Sequence, residues 1–377
     1  MPTPFIYGKI VQNESFTDRE NETGQLVFNF SSTINTILIS PRRWGKSSLV
    51  AKAAAIATAA NPNLRFCFID IYNVRTEDEF YQLLAQEVLK SSSSKMEELL
   101  EDARNFLGKF IPRVTFNPDP SSEISLGLDW KEVKRQPDDI LNLAENIATA
   151  KNLKFVICID EFQNISGFDD HLAVQKKLRS HWQKQVNVSY CLYGSKRHML
   201  MDVFSSPSMP FYKFGDILFL QKISKTDWIP FIKGRFLITG KEISDQNAEL
   251  ITGLVESHSQ YVQQLAQQVW FRTDKSASEA IVHEAHENLI LQLSMLFQTI
   301  TDGLSNTQLN FLKAILHEAI QLSSKDTIQE FGLGTSANVL RIKQALISKE
   351  IIDIQGDNIE FIDPLFKYWL KKHYFKI

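Results

Sequence analysis

Cysteine, long apolar runs and charge of one sign are all scarce in this 377-residue chain. Its three cysteines, Cys67, Cys158 and Cys191, are few, odd in number and far apart. That argues against a disulfide framework or a paired-cysteine zinc site and predicts buried free thiols of a reducing compartment. Apolar runs such as Phe155–Ile159 fall far short of the roughly 18 residues that span a bilayer. The opening Met-Pro-Thr-Pro-Phe-Ile-Tyr-Gly has no basic region followed by an apolar one, so it does not read as a signal peptide. Against 41 Lys and Arg stand 44 Asp and Glu, a net charge of −3. General attraction to nucleic acid or anionic membrane is therefore not indicated, and any such contact must rest on a local patch. The expectation is a soluble, cytoplasmic protein with no membrane partner.

What is present is ordinary globular composition, 44% hydrophobic and 23% charged. At about 150 residues per domain the length predicts two or three domains. To about residue 215, short apolar strands alternate with helical stretches. The strands are Thr36–Ser40, Arg65–Ile71, Lys154–Asp160 and Ser189–Tyr193, with little polar alternation, as in a parallel sheet buried on both faces. The helices are Ser47–Ala60, Glu77–Ser91 and Asp170–Val186, the last with Leu172, Gln175, Leu178 and Trp182 at helical spacing. This rhythm predicts an α/β core with a parallel sheet. It breaks between 91 and 137, where Ser91–Ser94 and Asn117–Ser122 read as loop. Alternation at Ile124, Leu126 and Leu128 there suggests a short strand or hairpin. Thr226–Thr301 reads as helical throughout.

The strongest local signal is Ile37-Leu-Ile-Ser-Pro-Arg-Arg-Trp-Gly-Lys-Ser-Ser48: a buried strand, a short loop, Gly-Lys-Ser, then an apolar helix. It follows the phosphate-loop form G-x-x-x-x-G-K-[ST], with Ser40 at the first glycine. Gly45 lets successive backbone N–H groups face phosphate, and the helix opening at Lys46 adds its positive dipole end. Lys46 would neutralise the β- and γ-phosphates, and the Ser47 hydroxyl would complete Mg²⁺ coordination. Pro41, Arg42, Arg43, Trp44 and Ser48 complete the candidate nucleotide-binding loop.

Phe155-Val-Ile-Cys-Ile-Asp-Glu161 ends an apolar strand in two carboxylates. Beside the phosphate-loop strand, Asp160 would lie toward Mg²⁺, and Glu161 would polarise an attacking water as general base. Ser195 follows the strand Ser189–Tyr193 where ligands of parallel sheets gather. It could sense the γ-phosphate or orient the water, or be a plain Gly-Ser turn. Arg179, Lys196, Arg197 and Arg235 are candidate transition-state cations, and spacing does not choose among them.

Together these residues resemble the archaeal-type ATPases of the P-loop superfamily, close to AAA+ and STAND ATPases. Phe16-Thr-Asp-Arg-Glu20 is similar to the family's F-x-x-R-E segment, which implies that Arg19 helps to hold the adenine side. Ser40–Ser47 resembles G-P-R-R-x-G-K-[TS], Ile159–Gln163 resembles D-E-[FI]-Q, and Gly194-Ser195 matches the sensor position. The chain departs from the family in three places: Ser40 replaces glycine, Phe211–Asp216 lacks the arginine of Y-G-R, and His258-Ser-Gln-Tyr261 keeps only the tyrosine of the lid motif. The resemblance implies a P-loop NTPase core over 1–220 with an insertion near 91–137, a helical lid over 221–302, and a winged-helix-like domain over 303–377. ATP and Mg²⁺ are the implied cofactors.

In the last segment, helical stretches 305–322, 324–331 and 336–349 precede two strand-like pieces, Ile351–Gln355 and Ile359–Ile362, with Asp357-Asn358 as a hairpin turn. Residues 336–349 would be a recognition helix with Arg341, Lys343 and Lys349 outward, a possible DNA contact in a segment of balanced charge. The terminal Phe366, Tyr368, Trp369, Tyr374 and Phe375 read as a packing seam. The function expected is ATP hydrolysis coupled to a switch of the winged-helix domain. The alternative is a DNA-binding regulator, or an adaptor with an unknown protein partner or self-association, whose nucleotide site is structural or slow.

Overall fold

A computed structural model describes residues 3–10, 16–93, 96–107, 137–355 and 358–377. The expected pieces at Ile124, Leu126 and Leu128, and Asp357 of the hairpin turn, lie outside these residues. The chain divides into two compact units, Arg19–Gln221, and Met1–Asp18 together with Lys222–Ile377.

The first unit is a five-stranded parallel sheet: β1 (Thr36–Ile39), β2 (Leu64–Asp70), β3 (Lys154–Asp160), β4 (Val188–Gly194) and β5 (Asp216–Phe219). The order is β2-β3-β4-β1-β5, so the phosphate-loop strand β1 lies between β4 and β5. Helices α1 (Glu20–Ser31), α2 (Lys46–Ala60), α3 (Glu77–Ser92), α4 (Met96–Leu107), α5 (Pro137–Leu141), α6 (Leu143–Lys151), α7 (His171–Trp182) and α8 (Arg197–Ser205) complete it. Four strands fall where the apolar runs predict them. β5 was not foreseen, because four half-exposed edge residues carry no readable period.

Ser91 and Ser92 are helical rather than loop, and α4 follows them. Buried Asp102 ties α4 down, accepting hydrogen bonds from Ser92 and Ser93 and pairing with Lys151. Helix α7 ends at Trp182, four residues before the expected Val186, and it buries Val174, Gln175, Leu178 and Trp182 while Leu172 is exposed. Trp182 stacks on Tyr190 of β4 at 3.9 Å, and Phe162 packs against Trp182, Phe204 and Phe211. All three cysteines are buried and free.

The second unit is mainly helical: α9 (Lys225–Leu237), α10 (Asp245–Leu254), α11 (Ser259–Arg272), α12 (Glu279–Asp302), α13 (Asn306–Leu316), α14 (Lys325–Phe331), α15 (Ser336–Ser348) and α16 (Pro364–Trp369). Serine side chains at 224, 244, 278, 305 and 324, and Thr335, accept from the backbone N–H three residues on and start six of these helices. The all-helical expectation for 226–301 needs one correction. Two-residue strands β6 (Glu242–Ile243) and β7 (Ser276–Ala277) pair in parallel between helices. At the C-terminal end α13, α14 and α15 lead into the antiparallel hairpin β8 (Ile352–Gln355) and β9 (Asn358–Phe361). One apolar core runs through this unit and includes Phe5, Trp228, Phe236, Phe297, Phe366 and Trp369. No helix of the described residues is long and apolar enough to cross a membrane.

Candidate functional site

Three loops meet at the carboxyl ends of β1, β3 and β4. The first runs from Ser40 into α2. Gly45 caps the helix with φ +90°, and a Cβ built there touches nothing within 4 Å, so conformation rather than space calls for glycine. Arg43 also has a left-handed backbone, at φ 66°. Ser40 is buried and its hydroxyl donates to the Pro41 carbonyl at 3.0 Å. Trp44, Lys46 and Ser48 are buried, whereas Arg42 and Arg43 are exposed.

The second loop begins at Asp160. The Glu161 N–H donates to Asp160 Oδ1 at 2.8 Å, and Glu161 sits at φ 54° before the 3₁₀ turn Phe162–Gly167. Buried Phe162, locked in the aromatic cluster, holds that turn in place. The third loop is Gly194-Ser195 after β4.

The side chains converge. Lys46 Nζ lies 3.3 Å from Glu161 Oε1 and 3.8 Å from Asp160 Oδ1. Ser47 Oγ donates to Asp160 Oδ2 at 2.8 Å. Ser195 Oγ donates to Glu161 Oε2 at 3.0 Å, and Arg42 Nε donates to Ser195 Oγ at 3.3 Å. Gln163 Nε2 also donates to Glu161 Oε2. Six residues expected from the sequence, Arg42, Lys46, Ser47, Asp160, Glu161 and Ser195, thus meet in one network. Gln163 was part of a quoted motif but had no role in the sequence reading. Its signal was an amide two residues from the carboxylate.

The neighbouring carboxylates are pushed apart. Burial raises the Asp160 pKa, and Lys46 and the Ser47 hydroxyl only partly offset it. Burial acts on Glu161 in the same sense, but there the Lys46 charge with hydrogen bonds from Gln163, Ser195 and Lys46 prevails and lowers its pKa.

The Ser47 hydroxyl and Asp160 carboxylate are hard oxygen donors, side by side, and fit Mg²⁺. No group of three metal-ligating side chains occurs among the described residues.

Other expected residues have partners of their own. Arg19 is buried, has φ 71° and pairs with Glu22 at 2.9 Å. Arg179 lies over the Phe214 ring at 4.8 Å and Arg197 over Phe219 at 5.5 Å. Arg235 belongs to the second unit, over Phe231 at 5.3 Å. Tyr261 is also there, donating to Asp363 Oδ2 at 2.6 Å. In α15 Arg341 is exposed and Lys343 half-buried. Lys349 is exposed as expected, and its ammonium donates one of its three N–H groups to the Gly303 carbonyl at 2.6 Å.

No curated protein sequence matches this chain. Residues 295–372 match the family model described as "Probable winged helix domain". Among solved structures, the chain is similar to the Walker-type ATPase of Pyrococcus abyssi, at 17% identity and TM-score 0.65, covering 98% of this chain and 100% of that one. It is also similar to the ORC2 protein of Aeropyrum pernix in its ADPNP-ADP complexes, at 14% identity and TM-score 0.60, covering 96% and 93%. With its five-stranded parallel sheet and the site at its carboxyl edge, the chain has the fold of a P-loop ATPase carrying a C-terminal winged-helix domain.

Proposed function

We propose that the chain binds Mg-ATP on the loop 40–48 and hydrolyses it to ADP and phosphate. The convergence of Lys46, Ser47, Asp160, Glu161 and Ser195 from three strand ends carries this reading. The backbone of the loop and the N-terminus of α2 would cradle the phosphates, with Lys46 against the β- and γ-oxygens. Ser47 and Asp160 would hold Mg²⁺, which when bound neutralises charge on the phosphate oxygens. Glu161 would accept the proton of the attacking water, and Ser195 and Arg42 stand at the same edge to orient water or phosphate. The nucleotide complexes of the Aeropyrum pernix ORC2 structure support nucleotide as the ligand class. Arg19 remains a candidate for the adenine side.

In the finer reading, residues 221–302 form a lid, and ATP binding and hydrolysis switch the winged-helix domain from 303 onward between two states. Its support is that one chain carries both the site and the winged helix. A measurement of phosphate release and of Mg-ATP affinity by calorimetry, on the parent and on Lys46→Ala, tests the core of the proposal. Parental affinity in a folded Lys46→Ala variant would remove it.

A further inference from the structure

Gln163 is 1% exposed and lies two residues beyond Glu161. A carboxylate only accepts, so the amide nitrogen must face Glu161, and it donates to Oε2, the oxygen that also accepts from Ser195. The other carboxylate oxygen faces Lys46. Glu161 is thereby held by donors from the phosphate loop, from its own 3₁₀ turn and from the end of β4.

The amide is not there to satisfy itself, since its Oε1 is buried with no hydrogen-bond partner. Leaving a polar atom so buried costs free energy that an outward rotamer would avoid. Gly194 makes the slot. A Cβ at 194 would lie 2.0 Å from Gln163 Oε1, 3.1 Å from its Cδ and 3.3 Å from Leu200 Cδ1. Gly194 has no positive φ, so space and not backbone conformation demands glycine there.

We propose that Gln163 is a positioning residue that, seated in the slot left by Gly194, aims the Glu161 carboxylate for hydrolysis; this rests on the function proposed above. The competing role is core filling, in which the amide nitrogen is incidental. Gln163→Met separates the two, because it keeps most of the volume and loses the donor.

Steady-state ATP turnover is measured for Gln163→Met, Gln163→Ala, Gly194→Ala and the double variant Gln163→Ala/Gly194→Ala, with Mg-ATP affinity by calorimetry. Each single variant is expected to lose about 10- to 100-fold in kcat, as for a misaimed catalytic group, with Mg-ATP affinity within about twofold of the parent. The double variant is no slower than Gln163→Ala, since the added methyl no longer meets the amide. Parental kcat in Gln163→Met, or losses that multiply in the double variant, overturns the proposal while the site reading stands. A parent that binds Mg-ATP without turnover overturns it together with the hydrolysis reading and leaves binding in place. If Gly194→Ala fails to fold, the two Gln163 variants still decide.

Discussion

Lys46 and Glu161 form an ion pair, Nζ to Oε1 at 3.3 Å, between the phosphate loop and the end of β3. In the proposed function, the cation assigned to phosphate is therefore held by the carboxylate assigned to water. An arriving phosphate would exchange Lys46 from one anion to another, and Glu161 would then lose the charge that depresses its pKa. A base lowered in this way is weak, and binding of the phosphates would restore its basicity.

Lys46→Ala removes the charge facing the phosphates. A charge-assisted hydrogen bond lost there costs about 1.5–3 kcal/mol, roughly ten- to a hundredfold in ATP affinity. Calorimetry on a variant with parental circular dichroism checks this.

Glu161→Gln has the opposite effect on binding. The amide cannot accept the water proton, so turnover falls on the order of 10²–10⁴-fold. It also releases Lys46 from its ion pair, so Mg-ATP affinity stays equal or becomes tighter. Turnover at the parental rate would make Glu161 a solvated carboxylate and send the search for a base elsewhere.

Much of this was legible in the sequence because each part has local cause. β1, β3 and β4 are mostly apolar and mostly buried, and Gly45-Lys46-Ser47 needs its glycine for a backbone at φ +90°. Asp160-Glu161 ends the run of β3 where its burial stops. What was not legible depends on contacts distant along the chain. Ser195 is legible as a polar point after a buried strand, but its bond to Glu161, 34 positions away, is not. Lys349 looks like any outward helix-end lysine until its ammonium donates to the Gly303 carbonyl. β5 exists because Asp216–Phe219 pairs with Thr36–Ile39, far too short a stretch to announce itself.

The two carboxylates predict opposite stability effects. The Asp160 pKa is raised by burial, so its charge penalises the folded state at neutral pH, and the penalty disappears as pH falls below the ordinary carboxylate value. Asp160→Asn should therefore raise Tm at neutral pH without nucleotide, while losing Mg-ATP stabilisation. The Glu161 pKa is lowered, so its charge stabilises above the ordinary value and the gain is lost as pH falls through the folded value. Glu161→Gln should lower the nucleotide-free Tm at neutral pH. Both differences shrink in acid. Thermal melts at several pH values check the pair of signs, and equal signs at neutral pH would contradict the electrostatics described.

The winged-helix domain gives the last test. Helix α15 presents exposed Ser336, Ala337, Leu340, Arg341 and Gln344, with Lys343 half-buried beside them. Lys349, just past the helix's end, ties one N–H to the Gly303 carbonyl, so Arg341 and Lys343 are the two cations within the helix itself. If α15 meets DNA, log affinity falls with log salt by about 0.9 per phosphate neutralised, so Arg341 and Lys343 together supply a slope near −2. The double variant Arg341→Ala/Lys343→Ala should flatten the slope by that amount with ATP affinity intact. Lys349→Ala should lower Tm, because it removes the hydrogen bond to the Gly303 carbonyl. With so few cations and balanced charge, binding is expected at micromolar concentration or weaker, in the range of non-specific contact, and largely lost at physiological salt. Fluorescence anisotropy with a labelled duplex over a salt series reads all of this. Tight, salt-resistant binding would make a DNA-binding regulator the better description, and absence of binding at low salt would leave the domain as a protein-docking module.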